Sequence, residues 1–298
     1  MKLKIFLTLL ILAISSTSYA ANLFHLDKSG DEVLQALISD KAGKFSVQTF
    51  SDDVTGLTLS YNLYLPENYS PEKKYPVVFF IADASSIGKE PEFSLKQGYG
   101  ALVWSEYDCI VINPFYNVTV LDDHNGFILS DYIEPTGRFV RWAVKNYAID
   151  ENRVYATGQS MGCMTSLVLA SEYPDLFTAC LFVSGQWDIN TLGKLAGQKF
   201  IYITSAGDDK ASTGQKEVID MFDAEKVPCV WYKNINAKNP DVKLSHEQRA
   251  NFITFTKGST LPDGNDNEQN YSEHMTSFDY AYKISELREW LLSQVKQN

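Results

Sequence analysis

A serine flanked by glycines lies near the middle of the chain, in the segment Gly-Gln-Ser-Met-Gly at positions 158–162. The strand-like run Arg153–Thr157 precedes it, and the helix-like run Met161–Tyr173 follows it. At a sharp turn from strand to helix, the residue at the tip has a strained backbone, and the positions two before and two after it leave room only for glycine. The pattern therefore predicts that Ser160 is a nucleophile, and a glycine-flanked turn serine is the alternative.

A serine hydroxyl needs a base to accept its proton, and histidine is the usual one. The chain has four histidines, and at a nucleophile of this kind the chain order is serine, acid, histidine. His25 and His124 precede Ser160 and are disfavoured. His274 lies between a polar loop and a terminal amphipathic helix, from which its imidazole can point back toward the serine. We therefore favour His274 as the base, with His246 as the alternative.

The acid that orients the histidine should follow a strand one or two β-α steps after the nucleophile. Phe200–Thr204 is such a strand, and a glycine turn leads from it to Asp208. Asp208 is the predicted acid. Asp209 could replace it, Asp188 after the preceding strand is a weaker option, and an ordinary loop or helix-cap role is the alternative for all three.

Acyl transfer also needs preorganised donors for the oxyanion. One donor should be the backbone N–H of Met161, the residue after the nucleophile at a helix N-terminus. The second should come from the loop that follows the run Val77–Ala82, which means Asp83 or Ala84. These are backbone roles, so side-chain identity tests them poorly.

The elements around these residues alternate between strands and helices. Phe45–Phe50 and Leu57–Leu65 alternate apolar and polar residues and predict an antiparallel hairpin. Continuous apolar runs then indicate strands buried on both faces of a parallel sheet. These runs are Val77–Ala82, Cys109–Asn113, Arg153–Thr157, Cys180–Ser184, Phe200–Thr204 and Pro228–Tyr232. The predicted fold class is α/β, a doubly wound, mostly parallel sheet with an N-terminal antiparallel hairpin.

Helical spacing marks Thr136–Tyr147, Met161–Tyr173 and a terminal helix with an apolar stripe at Ile284, Leu287, Leu291 and Val295. The polar stretch 236–272 is predicted to be a long loop or a small insertion over the site. Within it, the mixed segment Glu247–Phe255 suggests a helix that begins after Ser245 as N-cap.

The first residues resemble an export signal. Lys2 and Lys4 precede an apolar run, and the segment ends in small residues at Ala20. We predict a signal peptide over 1–20, a single domain over 21–298, and a secreted or periplasmic location. The formal net charge of −11 argues against nucleic acid as a partner. The four cysteines lack metal-ligand spacing and are predicted to be buried thiols, with a Cys163–Cys180 disulfide as the minority alternative.

With these residues in place, the sequence resembles the esterase branch of the α/β-hydrolases, which includes feruloyl-esterase-like, polyhydroxybutyrate-depolymerase-like and "predicted peptidase" proteins. The matching segments are 61–66, 158–162, 185–188, 205–211 and 274–282. The resemblance implies a triad of Ser160, Asp208 and His274. The chain departs from its relatives after the third strand, where they often carry His-Gly or His-Asp-Ala-Gly and this chain has Ala-Asp-Ala-Ser at 82–85.

Three functions follow as hypotheses. The first is a serine esterase that cleaves a small-molecule or glycan-linked ester through an acyl-enzyme. The second is a serine peptidase that uses the same residues on amides. The third is a non-catalytic exported binding protein that has kept the fold. No cofactor and no membrane span are expected, and the oligomeric state does not follow from the sequence.

Overall fold

The computed structural model describes residues 28–263 and 272–296. The predicted signal peptide at 1–20 and His25 lie outside these residues, and the single domain over 21–298 stays a prediction. In the part of the chain that the structure describes, no helix combines the length and apolar character that crossing a bilayer requires.

Within these residues, the strands are β1 (Ser46–Ser51), β2 (Thr58–Tyr64), β3 (Tyr75–Ile81), β4 (Ile110–Phe115), β5 (Leu121–Asp122), β6 (Ile128–Leu129), β7 (Ile149–Gln159), β8 (Ala179–Val183), β9 (Phe200–Ser205), β10 (Cys229–Ile235) and β11 (Ala250–Phe255). The helices are α1 (Glu32–Lys41), α2 (Phe93–Lys96), α3 (Ile133–Asn146), α4 (Met161–Glu172), α5 (Asp209–Glu225), α6 (Glu273–Lys283) and α7 (Ser285–Ser293).

One sheet has the order β1-β2-β4-β3-β7-β8-β9-β11-β10, while β5 and β6 form a separate small hairpin. β1 and β2 pair antiparallel, from Ser46 opposite Leu63 to Ser51 opposite Thr58, and β2 pairs antiparallel with β4. The other neighbours in the sheet are parallel. The predicted mostly parallel sheet with an N-terminal antiparallel hairpin is confirmed.

The sheet separates two hydrophobic layers. Along β3, Val77 and Phe79 face one layer, and Val78 and Phe80 face the other, because successive side chains of a strand point to opposite faces. Helices α3, α4 and α5 cover the first face, and α1, α6 and α7 cover the second. This double covering explains why the parallel strands are continuously apolar, and it makes the sheet doubly wound.

The helix expected over Glu247–Phe255 is wrong, because this segment contains strand β11. β11 lies between β9 and β10, with Ala250 opposite both Phe200 and Cys229. Its side chains are buried on both faces of the sheet, with Phe252 in one layer and Ile253 in the other. The stretch 236–272 is therefore not only a loop or an insertion, since it supplies a strand inside the main sheet.

Two further expectations need correction. The predicted terminal helix corresponds to α7, which begins directly after Ile284, but Val295 lies beyond α7 with 57% of its surface exposed, so it does not continue the apolar stripe. The alternative of a Cys163–Cys180 disulfide is wrong, because all four cysteines are free thiols.

Candidate active site

Ser160 stands at the sharp turn between β7 and α4. Its φ of 51° and ψ of −119° lie outside the regions that non-glycine residues normally occupy, and its N–H donates a hydrogen bond to the carbonyl of Val183 at 3.1 Å. The neighbouring strand therefore holds the strained residue in place. Such strain persists only where the surrounding structure imposes it, and it is concentrated at functional sites.

The two glycines that flank Ser160 are required by close backbone packing. A Cβ atom on Gly162 would lie 1.9 Å from the carbonyl oxygen of Ile81, and one on Gly158 would lie 2.4 Å from the carbonyl group of Gly162. No real Cβ atom approaches backbone so closely. The crowding predicted at the positions two before and two after the serine is confirmed.

A continuous chain of hydrogen bonds runs from Ser160 through His274 to Asp208. The Ser160 Oγ is 2.8 Å from His274 Nε2, and His274 Nδ1 is 2.5 Å from Asp208 Oδ2. An ionised carboxylate only accepts, so Nδ1 carries the proton and donates, which leaves Nε2 free to accept from the serine hydroxyl. The structure thus brings together three residues that are far apart in the sequence, in the arrangement that proton transfer from the serine requires.

Asp208 lies after the carboxyl end of β9 and is 8% exposed. Asp209, the alternative acid, is the exposed first residue of α5. Asp188 accepts hydrogen bonds from the backbone and the side chain of Asn190 instead. Among the three candidate acids, the structure places Asp208 against His274.

The other described histidines lie away from Ser160. His246 precedes the amino end of β11, packs near the Trp290 ring and lies 3.4 Å from the Gln294 amide nitrogen. Because parallel strands share one direction, this edge of the sheet is opposite the edge at which Ser160 lies. His124 is exposed beside Asp122.

Two of the three candidate oxyanion donors line one small cavity. Asp83 and Met161 both line it, together with Ser86 and Tyr116. Met161 is the first residue of α4, where backbone N–H groups have no intrahelical acceptor. Ala84 begins a short 3₁₀ turn over Ala84–Ser86 and is exposed. The structure therefore brings the loop after β3 next to the amino end of α4.

The side chain of Asp83 fixes the shape of this loop. Its Oδ1 accepts from the Ser85 N–H at 2.9 Å, and its Oδ2 accepts from the Gln159 amide at 2.7 Å. Gln159 immediately precedes Ser160, so this contact ties the loop directly to the turn that carries the serine. Sequence reasoning missed the role of Gln159, since nothing in the sequence pairs it with a residue 76 positions away.

Two further side chains, those of Ser277 and Glu273, hold the start of the helix that carries His274. Ser277 Oγ donates to the His274 carbonyl at 2.8 Å and accepts from Ser184 Oγ at 2.7 Å, which connects α6 to the end of β8. Glu273 is buried and anchors the start of α6. Burial raises the pKa of the Cys163 thiol behind the turn, so it stays protonated and does not compete as a nucleophile.

One group of described residues has the spacing to hold a metal ion: Asp122, Asp123 and His124. Asp123 already accepts from the Lys210 ammonium at 3.1 Å and from the Gln186 amide. A protein cation, the Lys210 ammonium, therefore balances the charge of this carboxylate.

Comparison with known proteins relates the chain to esterases. Acetylxylan esterase A of Aspergillus ficuum is 28% identical over 179 residues, which are 57% of this chain and 54% of that protein. Acetylxylan esterase A of Talaromyces purpureogenus is 29% identical over 183 residues, 57% of this chain and 45% of the other. The chain thus spans about half the length of the relatives it matches.

Solved structures share the fold. A thermostable esterase has a TM-score of 0.69 at 22% identity and covers 86% of this chain, which in turn covers 64% of it. A ferulic acid esterase of Anaeromyces mucronatus has a TM-score of 0.51 at 14% identity, covering 80% of this chain and 89% of its own. Both structures share with this chain the arrangement of strands and helices.

The family model described as "Putative esterase" matches residues 135–283, which are half of the 298 residues. The match contains the turn at Ser160, the end of β9 and the start of α6. The chain therefore belongs to this esterase family, within the α/β-hydrolases.

Proposed function

We propose that the protein is a carboxylic ester hydrolase that works through a Ser160–His274–Asp208 triad and an acyl-enzyme. The observation that carries this proposal is the chain of hydrogen bonds from Asp208 through His274 to Ser160, at 2.5 and 2.8 Å. Membership of an esterase family supports the choice of an ester as the bond that is cleaved.

In the first half of the reaction, Ser160 Oγ attacks the carbonyl carbon of the ester while its proton passes to His274 Nε2. A new C–O bond forms, and the carbonyl oxygen becomes an oxyanion. His274 then returns the proton to the alcohol oxygen as the original ester bond breaks, which releases the alcohol and leaves the acyl group on Ser160. Asp208 holds the required tautomer and stabilises the charged imidazole.

In the second half, His274 Nε2 takes a proton from water, whose oxygen attacks the acyl carbon. The bond to Ser160 Oγ breaks, the proton passes to that oxygen, and the carboxylic acid leaves. The Met161 N–H holds the oxyanion in both halves, with an N–H of Asp83 or Ala84 as the second donor. The common cavity of this loop and Met161 supports the pairing.

The central test is Ser160→Ala. We expect turnover of p-nitrophenyl acetate to fall by on the order of 10⁶-fold, because the nucleophile is removed. The matched control is Ser171→Ala on the helix that follows Ser160. The Ser171 hydroxyl donates to the Thr191 carbonyl at 2.8 Å, away from the site, and its loss should leave kcat unchanged. Full activity in folded Ser160→Ala would reject the mechanism.

The substrate class that we propose is an acetyl ester carried by a glycan, since the relatives that match are named acetylxylan esterases. A panel of p-nitrophenyl esters from acetyl through feruloyl to long-chain acyl, together with release of acetate from acetylated xylan, measures this preference. A higher kcat/KM for long-chain acyl groups than for acetyl would contradict it.

Two alternatives make different predictions with the same protein. A peptidase would hydrolyse an anilide or peptide bond with a measurable turnover, whereas we expect turnover of the matched ester and none of the anilide. A binding protein that has lost catalysis would not react with a fluorophosphonate probe, whereas we expect the probe to label Ser160 and no other serine.

We also propose that the protein is exported after cleavage near Ala20. The lysines at positions 2 and 4 and the apolar run that follows them support this location. The N-terminal sequence of the protein recovered from the periplasm or medium would identify the cleavage site. Recovery of the full-length chain from the cytoplasm alone would contradict the proposal.

A further inference from the structure

Glu273 is a buried carboxylate next to His274 in the chain. Only 4% of its surface is exposed, and three neutral groups of the described residues donate to it. Ser205 Oγ donates to Oε2 at 2.6 Å, Thr260 Oγ1 donates to Oε2 at 3.2 Å, and the Gly258 N–H donates to Oε1 at 2.8 Å. Burying a carboxylate is costly unless hydrogen bonds replace its water, and these three bonds do so.

These donors belong to two segments that meet at the site. Ser205 is the last residue of β9, three positions before Asp208, and Gly258 and Thr260 lie in the loop after β11. Glu273 itself begins α6, the helix that carries His274. One carboxylate therefore connects the segment that ends in the acid to the helix that presents the base.

The Glu273 carboxylate packs unusually close to the turn that leads from β9 to Asp208. A Cβ atom on Gly207 would lie 1.8 Å from Glu273 Oε1 and 2.2 Å from its Cδ. Gly207 directly precedes Asp208, so only a glycine at this position lets the carboxylate pack against the turn. The Asp208 turn and the start of α6 are therefore held together by the packing of the Glu273 carboxylate against Gly207. The distance between Asp208 and His274 depends on this contact.

We infer that Glu273 is a positioning residue for the triad. Its carboxylate fixes the start of α6 against the loop of Asp208, so that His274 makes both of its hydrogen bonds, at 2.5 and 2.8 Å, at the same time. This inference rests on the proposed function of Ser160, His274 and Asp208. The competing explanation is purely structural, since an acidic residue in the first turn also stabilises a helix through its dipole.

The test compares Glu273→Ala with Glu273→Gln. In Glu273→Ala we expect kcat for p-nitrophenyl acetate to fall on the order of 100-fold with KM within about twofold, because displacement of a catalytic group by about 1 Å has that effect. In Glu273→Gln the amide oxygen still accepts from Gly258, and the two hydroxyl groups can turn to accept from the amide, so kcat should stay within about tenfold of the wild type.

A spectroscopic measurement separates positioning from stability. The proton shared between His274 Nδ1 and Asp208 gives a downfield ¹H NMR signal that disappears in His274→Gln. We expect Glu273→Ala to lose or shift this signal at a temperature at which the protein is fully folded. Glu273→Gln should keep it.

Asp52→Asn is the matched control for the loss of a buried carboxylate. Asp52 is 2% exposed and lies in the turn after β1, paired with Arg138 on the opposite side of the molecule from α6. This variant should lower the melting temperature and leave kcat and the downfield signal unchanged. A fall of kcat in Asp52→Asn that equals the fall in Glu273→Ala would attribute the effect to stability and overturn the inference.

If Glu273→Ala does not fold, the double variant Ser205→Ala/Thr260→Val carries the test by removing two of the three donors. A several-fold fall in kcat with unchanged KM supports the inference, and a wild-type kcat overturns it. A wild-type kcat in folded Glu273→Ala also overturns it, while an inactive Ser160→Ala leaves the proposed function standing. Full activity in Ser160→Ala would instead reject the proposed function itself.

Discussion

Asp208 uses its two carboxylate oxygens for different partners. Oδ2 faces His274 Nδ1 at 2.5 Å, and Oδ1 accepts from the Ala211 N–H at 3.2 Å, which makes the residue the N-cap of α5. The helix therefore fixes the carboxylate plane. One side chain therefore makes the contacts of both roles considered from the sequence, the helix cap and the proposed triad acid.

Replacing Asp208 with asparagine should separate these roles. The amide oxygen can still cap α5, but the amide nitrogen cannot accept the Nδ1 proton, so His274 loses the tautomer that accepts from Ser160. We expect kcat to fall by about 10⁴-fold with little loss of stability. Asp209→Asn, one residue along, should keep wild-type kcat, and the opposite ranking of the two variants would transfer the acid role to Asp209.

Gly162→Ala should disrupt the turn at Ser160, because the added Cβ would meet the Ile81 carbonyl oxygen at 1.9 Å. Backbone cannot move aside as a side chain can, so we expect destabilisation of about 3 kcal/mol, measured by urea unfolding. The control is Gly193→Ala, where a Cβ would meet nothing within 4 Å. Equal stability of the two variants would contradict the packing argument.

At this scale the sequence predicted the residues of the hydrogen-bond chain but not their supports. The turn at Ser160 has a local signature, since a short strand, a tight turn and a helix each leave a pattern within a few residues. The contact between Gln159 and Asp83 joins residues 76 positions apart, and the donors of Glu273 come from two distant segments. Such pairs have no local pattern, because only the folded sheet brings them together.

At the scale of elements, β11 shows why a strand inside the sheet escaped prediction. The segment at 250–255 contains Asn251 and Thr254, and polar stretches surround it. Asn251 is buried, and its side chain bonds the backbone of Ser245 on both its N–H and its carbonyl. From the sequence alone, a polar residue in a buried strand cannot be distinguished from a loop residue, because the hydrogen bonds that its side chain makes are not known. The other eight strands of the nine-stranded sheet each overlap a run that the sequence predicted as a strand.

The contribution of β11 to the free energy of unfolding can be measured with Phe252→Ala. Phe252 is fully buried, and its ring packs against those of Phe200, Tyr202 and Phe222 at centroid distances of 5.6 to 6.3 Å. We expect a loss of about 3–5 kcal/mol in the free energy of unfolding. Phe127→Ala, at a ring that is 49% exposed, should cost less than about 1 kcal/mol, and a comparable loss there would contradict the assignment.

At the scale of the whole molecule, the doubly wound sheet places the three residues of the proposed triad along one edge. Ser160 follows β7, Asp208 follows β9, and His274 is the second residue of α6, the helix reached after β11. Parallel strands end at the same edge, so residues 114 positions apart in sequence meet there. This consequence of topology was available from the sequence because the alternation of strands and helices predicts the parallel arrangement.

An ion pair ties the N-terminal hairpin to α3, on the face of the sheet opposite α6. The Arg138 guanidinium donates to Asp52 Oδ1 at 2.7 Å and to Oδ2 at 2.9 Å. This guanidinium, aided by the hydroxyl and N–H of Thr55, holds the pKa of Asp52 well below its usual range. The pair joins segments 86 residues apart and so acts on the fold as a whole.

Because the pKa of Asp52 is lowered in the folded state, its stabilising effect is complete above the ordinary aspartate value of about 3.9 and is lost progressively as the pH falls below it. We therefore expect the difference in melting temperature between the wild type and Asp52→Asn to be largest near neutral pH and to shrink as the pH is lowered below about 4, since protonation removes the charge that the variant already lacks. Thermal unfolding at a series of pH values measures it. Asp263→Asn, at a carboxylate whose side chain is 93% exposed, is the control and should track the wild type at every pH. A difference between the wild type and Asp52→Asn that stays constant from neutral to acid pH would show that Arg138 does not stabilise the fold through the charge of Asp52.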